Sequence, residues 1–227
     1  MTVECSAVPT APSVTATDNC DANVTVTMSE LRTNGSCTDG YILTRTWTAT
    51  DNCGNTATQS QVITVEDKTA PVLVGVPTNL TVECSAVPTA PTVTGTDNCD
   101  ANVTVTMSEL RTNGSCTDGY VLTRTWTATD NCGNTATQSQ VITVEDKTAP
   151  VLVGVPTNLT VECSSVPTAP TVTGTDNCDA NVTVTMSELR TNGSCTDGYV
   201  LTRTWTATDN CGNTATQSPA TSLRNLH

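Results

Sequence analysis

Residues 120–130 read YVLTRTWTATD, in which Tyr120, Leu122, Arg124, Trp126 and Ala128 alternate with Val121, Thr123, Thr125, Thr127 and Thr129. A period of two marks a strand with one buried face, so Trp126 points to a core and the threonine row to the opposite side. Five further runs are rich in β-branched residues: VLVGV (72–76), LTVEC (80–84), PTVTGTD (91–97), VTVTMSEL (103–110) and TATQSQVITVE (135–145). Pro, Gly, Asn or Asp bound them, as strands require. No window keeps helical spacing over a useful length. The expectation is an all-β chain.

The pattern recurs. TWTATDNCGN stands at 46–55, 125–134 and 204–213, and Cys5, Cys84 and Cys163 are 79 residues apart (84 − 5; 163 − 84). Residues 81–138 and 160–217 differ only at Ala86 against Ser165, and the first copy departs at Ser13/Thr92, Ala16/Gly95 and Ile42/Val121. Such a period is too long for a solenoid turn and suits one small domain. We expect three tandem immunoglobulin-like antiparallel β-sandwich domains arranged as a rod. Repeat 1 is 1–69 and lacks its first strand, repeat 2 is 70–148, and repeat 3 is 149–227 with a divergent last strand.

Composition decides what holds each repeat together. Phe is absent, aromatics are 3 %, and each copy has one Trp and one Tyr, so the core is lean for its chain entropy. Twelve cysteines, four per repeat, offset this. There is no Cys-x-x-Cys, and the single histidine is His227, which argues against zinc and for disulfides in an oxidising, extracellular setting. Four cysteines allow three pairings. Tracing strand direction puts Cys99 and Cys132 together at the end where the chain enters a repeat, leaving Cys84 for Cys116 at the other. The expected bonds are Cys5–Cys37, Cys20–Cys53, Cys84–Cys116, Cys99–Cys132, Cys163–Cys195 and Cys178–Cys211. Met1 is followed directly by TVECS, without a signal peptide, so a mature or excised piece of an exported protein is expected.

Carboxylates gather near the expected junctions: Glu66, Asp67, Asp97, Asp100 and Asp130, then Glu145, Asp146, Asp176, Asp179 and Asp209. Oxygen-rich clusters of this kind suit calcium. Turn formation alone also accounts for Asp-Asn pairs. No other cofactor is expected.

VEC (82–84), TDNCD (96–100), RTWTATDNCGNTAT (124–137), QVITVED (140–146) and TAP (148–150) together resemble the HYR-type (hyalin-repeat) immunoglobulin-like domains of secreted bacterial surface proteins. The resemblance covers essentially the whole chain three times. It implies an extracellular, adhesive or stalk-like role without enzymatic activity. Many such modules carry a further cysteine where this chain has Gln59, Gln138 and Gln217, so the pairing of the family need not transfer.

Other functions find little support. With His227 outside the repeats, no Ser-His or Cys-His pair forms within one, and Glu109 and Asp118 are single carboxylates. A net charge of −13 disfavours nucleic acid and anionic membranes, and no run is apolar enough to cross a membrane. The expected partners are further copies of the same repeat, in cis or in a fibre, and surface glycans. A glycan-binding adhesin module is the rival reading. A head-to-tail filament, with the tail 219–227 supplying the missing strand of the next molecule, is a narrower one. The threonine rows Thr44, Thr46, Thr48, Thr50, Thr123, Thr125, Thr127, Thr129, Thr202, Thr204, Thr206 and Thr208 read as water-tolerant β-formers or O-glycosylation sites. N-glycosylation sequons fall at Asn23, Asn34, Asn79, Asn102, Asn113, Asn158, Asn181 and Asn192.

Overall fold

In the computed structural model, residues 1–193 and 198–224 are described. Repeat 1 forms β1 (Thr2–Glu4), β2 (Thr25–Asn34), β3 (Tyr41–Thr50) and β4 (Thr56–Glu66). Repeat 2 forms β5 (Val72–Val74), β6 (Leu80–Val82), β7 (Thr94–Thr96), β8 (Thr104–Asn113), β9 (Tyr120–Thr129) and β10 (Thr135–Val144). Repeat 3 follows with β11 (Val151–Val153), β12 (Leu159–Val161), β13 (Thr173–Thr175), β14 (Thr183–Asn192), β15 (Tyr199–Thr208), β16 (Thr214–Gln217) and β17 (Ala220–Leu223). The protein is all-β, built as tandem immunoglobulin-type sandwiches.

Each repeat has a larger sheet, ordered β1-β4-β3-β2, β6-β10-β9-β8 and β12-β17-β15-β14, with β16 also on β15. Two small sheets, β5-β7 and β11-β13, make the opposing layer. The long strands pair antiparallel, with Met28 opposite Trp47 and Trp47 opposite Gln59. The short first strand instead joins in parallel, Glu4 beside Glu66 and Val82 beside Val144. A strand whose sequel crosses to the other layer has no hairpin to impose antiparallel pairing. Residues 220–223 of the divergent tail complete the sheet of their own repeat, with Leu223 opposite Tyr199 and beside Val161. They are therefore already engaged, which corrects the donation of 219–227 to another molecule; residues 225–227 of that tail lie outside the described residues.

The chain divides into two compact units that do not follow the repeats. Unit 1 is Met1–Pro77, Ala90–Ser108 and Arg124–Gln140; unit 2 is Thr78–Thr89, Glu109–Thr123 and the chain from Val141. Among the described residues each unit has two apolar clusters. Unit 1 holds Leu43, Ile63 and Val65, packed by Val3 and Tyr41, and separately Leu73, Val93, Trp126 and Ala128, packed by Val103 and Val105. Unit 2 holds Leu122, Ile142 and Val144, and Leu152, Val172, Trp205 and Ala207. Trp126 and Trp205 keep only 2 % exposure, as their strand parity requires. Trp47 is half-buried, since no described strand covers it as β5 covers Trp126. Arg45 shares the core parity and is partly satisfied there, Nε donating to Glu30 Oε1 at 2.7 Å and Nη2 to the Pro9 carbonyl at 2.7 Å, while Nη1 is buried without a hydrogen-bond partner.

The threonine rows of β3, β9 and β15 are half-buried. These are central strands, and their hydroxyls meet the neighbouring strand, as Thr46 Oγ1 meets Ser60 Oγ at 3.1 Å. All eight sequon asparagines are exposed. Asn79 and Asn158 also spend their side-chain oxygens on backbone N–H groups of Val141 and Ala220.

Candidate functional site: the repeat junctions

The loops at the upstream end of repeat 2 are shaped by their own carboxylates. Asp97 Oδ1 accepts from the Cys99 and Asp100 N–H groups at 2.8 and 3.0 Å. Asp130 Oδ1 accepts from Cys132 and Asn134 N–H, both at 2.8 Å. Side-chain acceptance two to four residues on is the ordinary turn chemistry of Asp. Asp100 ties the two loops, its Oδ1 accepting from Asn102 N–H at 2.8 Å and its Oδ2 from Asn131 N–H at 3.0 Å. Asp176, Asp179 and Asp209 repeat the arrangement in unit 2, Asp179 Oδ2 taking the Asn210 N–H at 3.0 Å.

With the loops held this way, their cysteines face the preceding repeat. In unit 1 the disulfides are Cys5–Cys99 and Cys37–Cys132, with Cα–Cα distances of 5.9 and 5.0 Å. In unit 2 they are Cys84–Cys178 and Cys116–Cys211, at 5.9 and 4.9 Å. This corrects the expected Cys5–Cys37, Cys84–Cys116, Cys99–Cys132 and Cys178–Cys211 bonds. Cys20 and Cys53, expected to pair with each other, are exposed free thiols. The expected Cys163–Cys195 bond involves Cys195, outside the described residues. Strand tracing grouped the cysteines by end correctly. The bonds then run from one repeat to the next, and within repeat 2 the two loops are tied by Asp100 instead.

Polar contacts accompany the bridges. Asn131 Nδ2 donates to Asp39 Oδ2, Asn134 Nδ2 donates to the Asp67 carbonyl at 3.1 Å, and Asn98 Nδ2 donates to Ser6 Oγ at 3.4 Å. The same repeat-to-repeat bonds recur as Asn210 to Asp118 and Asn213 to the Asp146 carbonyl.

At each junction three carboxylates converge. Asp67, Asp97 and Asp130 each bring an oxygen within 4.8 Å of the others, as do Asp146, Asp176 and Asp209. Asp67 and Asp146 are 7 % exposed. The Oδ2 atoms of Asp67, Asp97, Asp146 and Asp176 are buried without a hydrogen-bond partner. Burial pushes the Asp67 and Asp146 carboxyls above the ordinary aspartate value, opposed by the Thr69 and Thr148 N–H groups and reinforced by the neighbouring aspartates. Two buried, unpartnered carboxylate oxygens at each junction, beside an Asp130 or Asp209 whose oxygens also accept from the neighbouring asparagine side chain, fit a hard cation with oxygen ligands. Of the other expected ligands, Asp100 and Asp179 are committed to tying loops, and Glu66 and Glu145 pair with Lys68 and Lys147. Sequence reasoning missed Glu4 and Glu83, which stand within the same reach of Asp67 and Asp146 and accept the Lys68 and Lys147 N–H groups at 3.2 Å. Their recurrence ahead of each VEC cysteine was the available signal.

Disulfide-joined tandem β-sandwiches with acidic junctions define the class. The chain belongs to the family of HYR-like domains with 4 cysteines, whose model matches residues 1–65 and 72–144. Among curated protein sequences none matches this one. Solved structures with some likeness include cadherin ectodomains. Drosophila N-cadherin EC1-4 gives a TM-score of 0.32 at 10% identity, over 82% of this chain and 58% of that one. The human Desmocollin-1 ectodomain gives 0.31 at 10%, over 99% and 60%. Mouse Protocadherin-24 EC1-3 gives 0.34 at 16%, over 81% and 79%. The chain thus spans 58% and 60% of the first two.

Proposed function

We propose that this is a non-enzymatic, extracellular structural protein, a segment of an adhesin stalk or surface fibre whose successive repeats, taken as 1–69, 70–148 and 149–227, are coupled covalently. The observation that carries the reading is that all four disulfides among the described residues join one repeat to the next, with sequence separations of 94 or 95 residues. Two bonds per junction turn a flexible connection into a double staple, so tension on one repeat reaches the next through sulfur as well as backbone. In the chain-entropy model, closing a loop near that length stabilises by roughly 4–5 kcal/mol for the first bond of a junction, and by less for the second. Calcium at Asp67/Asp97/Asp130 and Asp146/Asp176/Asp209 would neutralise the buried carboxylates and stiffen the same junctions. Glycans on the exposed sequons would clothe the outer surface.

Peptide mapping of the unreduced protein by mass spectrometry tests the reading. The expected products are linked peptides holding Cys5 with Cys99 and Cys37 with Cys132. Recovery of Cys5 with Cys37 would overturn it.

A further inference from the structure

Repeat 1 carries at its upstream end the same loops that make the two junctions. Asp18 Oδ1 accepts from Cys20 and Asp21 N–H at 2.8 and 2.9 Å. Asp21 Oδ2 accepts from Asn52 N–H at 2.9 Å. Asp51 Oδ1 accepts from Cys53 and Asn55 N–H at 2.9 and 2.8 Å. These match the bonds around Asp97, Asp100 and Asp130 one repeat on. The loops therefore take their junction shape without a neighbour against them, and their thiols, Cys20 and Cys53, are exposed and free. Cys99 and Cys132, and again Cys178 and Cys211, hold the equivalent positions and are all bonded to a preceding repeat.

We propose that the upstream face of repeat 1 is a preformed half-junction that receives the downstream face of a further repeat placed ahead of it, through disulfides at Cys20 and Cys53. The incoming face is specified by what Cys99 and Cys132 meet. It carries one cysteine just after a VE strand, as Cys5 and Cys84 do, and one in a GSCTDG hairpin, as Cys37 and Cys116 do. It also brings an acid for Asn52, as Asp39 serves Asn131, and an aspartate to join Asp18 and Asp51, as Asp67 joins Asp97 and Asp130. Each bond forms as two thiols give up two protons and two electrons to a disulfide donor of the oxidising compartment, which leaves as two thiols. A bond closing Cys20 on Cys53 would have to compete with the geometry that Asp21 imposes on both loops.

This inference rests on the coupled-repeat reading, and one experiment separates the two. The chain is extended ahead of Thr2 by a copy of residues 81–159, which restores the NL-TVEC join found at 79–84. It is then oxidised with a glutathione redox pair and mapped unreduced. The expected result is Cys20 linked to the copy of Cys84 and Cys53 linked to the copy of Cys116. Free or mutually bonded Cys20 and Cys53, alongside intact Cys5–Cys99 and Cys37–Cys132, would overturn the inference and leave the reading standing. Loss of those inner bonds as well would overturn both. The unextended chain gives a second measurement. Under the same glutathione mixture Cys20 and Cys53 should each be recovered as mixed disulfides with glutathione, and a Cys20–Cys53 bond there would overturn the inference.

Discussion

Asp100 Oδ2 accepts the Asn131 backbone N–H at 3.0 Å, so a carboxylate, and not a disulfide, joins the two cysteine-bearing loops of repeat 2. The carboxylate is 6 % exposed, and its other oxygen takes the Asn102 N–H at 2.8 Å. Removing it takes the acceptor from both backbone N–H groups, which belong to exposed residues, at a cost of about 1 kcal/mol each. Asp100→Ala should lower the denaturant midpoint and, on oxidative refolding, divert some Cys99 into a bond with Cys132. Non-reducing peptide mapping reads the second effect directly.

Asp67 and Asp146 link stability to pH. Their carboxyls titrate above the ordinary 3.8 because burial disfavours the charged form. A raised carboxyl pKa means the folded chain binds the proton more tightly than the unfolded one. That contribution is complete below the unfolded pKa and is lost as pH rises through the folded value. Without calcium, the protein should therefore gain stability on acidification from neutral pH toward the ordinary aspartate range. Further down the gain should reverse. Asp18 and Asp51, whose carboxyls are lowered chiefly by the Cys20 backbone and the Asn55 side chain, lose their stabilising charge there. Urea titrations across pH, with and without calcium, check this: calcium should raise stability at neutral pH and abolish the acid gain. Asp67→Asn with Asp146→Asn should remove both effects.

Gly95 allows β7 to lie on β8. A Cβ built there falls 2.4 Å from Val103 Cγ1 and 3.3 Å from Val105 Cγ2. Repeat 1 has Ala16 at this position, and residues 15–17 form no strand. Gly95→Ala should destabilise by about 1–3 kcal/mol, the usual range for overpacking. Hydrogen exchange should show lost protection at Val72 and Val74, which pair with Thr96 and Thr94.

The tryptophans are alike in sequence and different in burial. Trp126→Ala should cost about 3–5 kcal/mol, as large-to-small core changes do. Trp47→Ala should cost clearly less, because Trp47 is only half-buried. Thermal unfolding of the two variants side by side gives the comparison.

The strands, the three-fold repeat, the core placement of Trp126 and the acidic, cysteine-rich ends were all legible in the chain. They depend on period two, on turn residues and on spacing, which are properties of neighbours in sequence. Even the sorting of cysteines by end followed from strand direction. The partner of each cysteine did not. Because residues 81–138 and 160–217 are nearly identical, Cys84–Cys116 and Cys84–Cys178 satisfy the spacing equally well, and only the meeting of one repeat's downstream face with the next one's upstream loops separates them. The acidic clusters show the same division. Asp97 and Asp130 were visible as turn residues, but whether Asp100 or Glu66 joined them depended on which oxygens were already taken. Those are through-space facts: Asp100 is consumed tying loops, Glu66 is drawn to Lys68, and Asp67 is buried against the next repeat's carboxylates. Local pattern determined the repeats, and packing alone decided how they are joined.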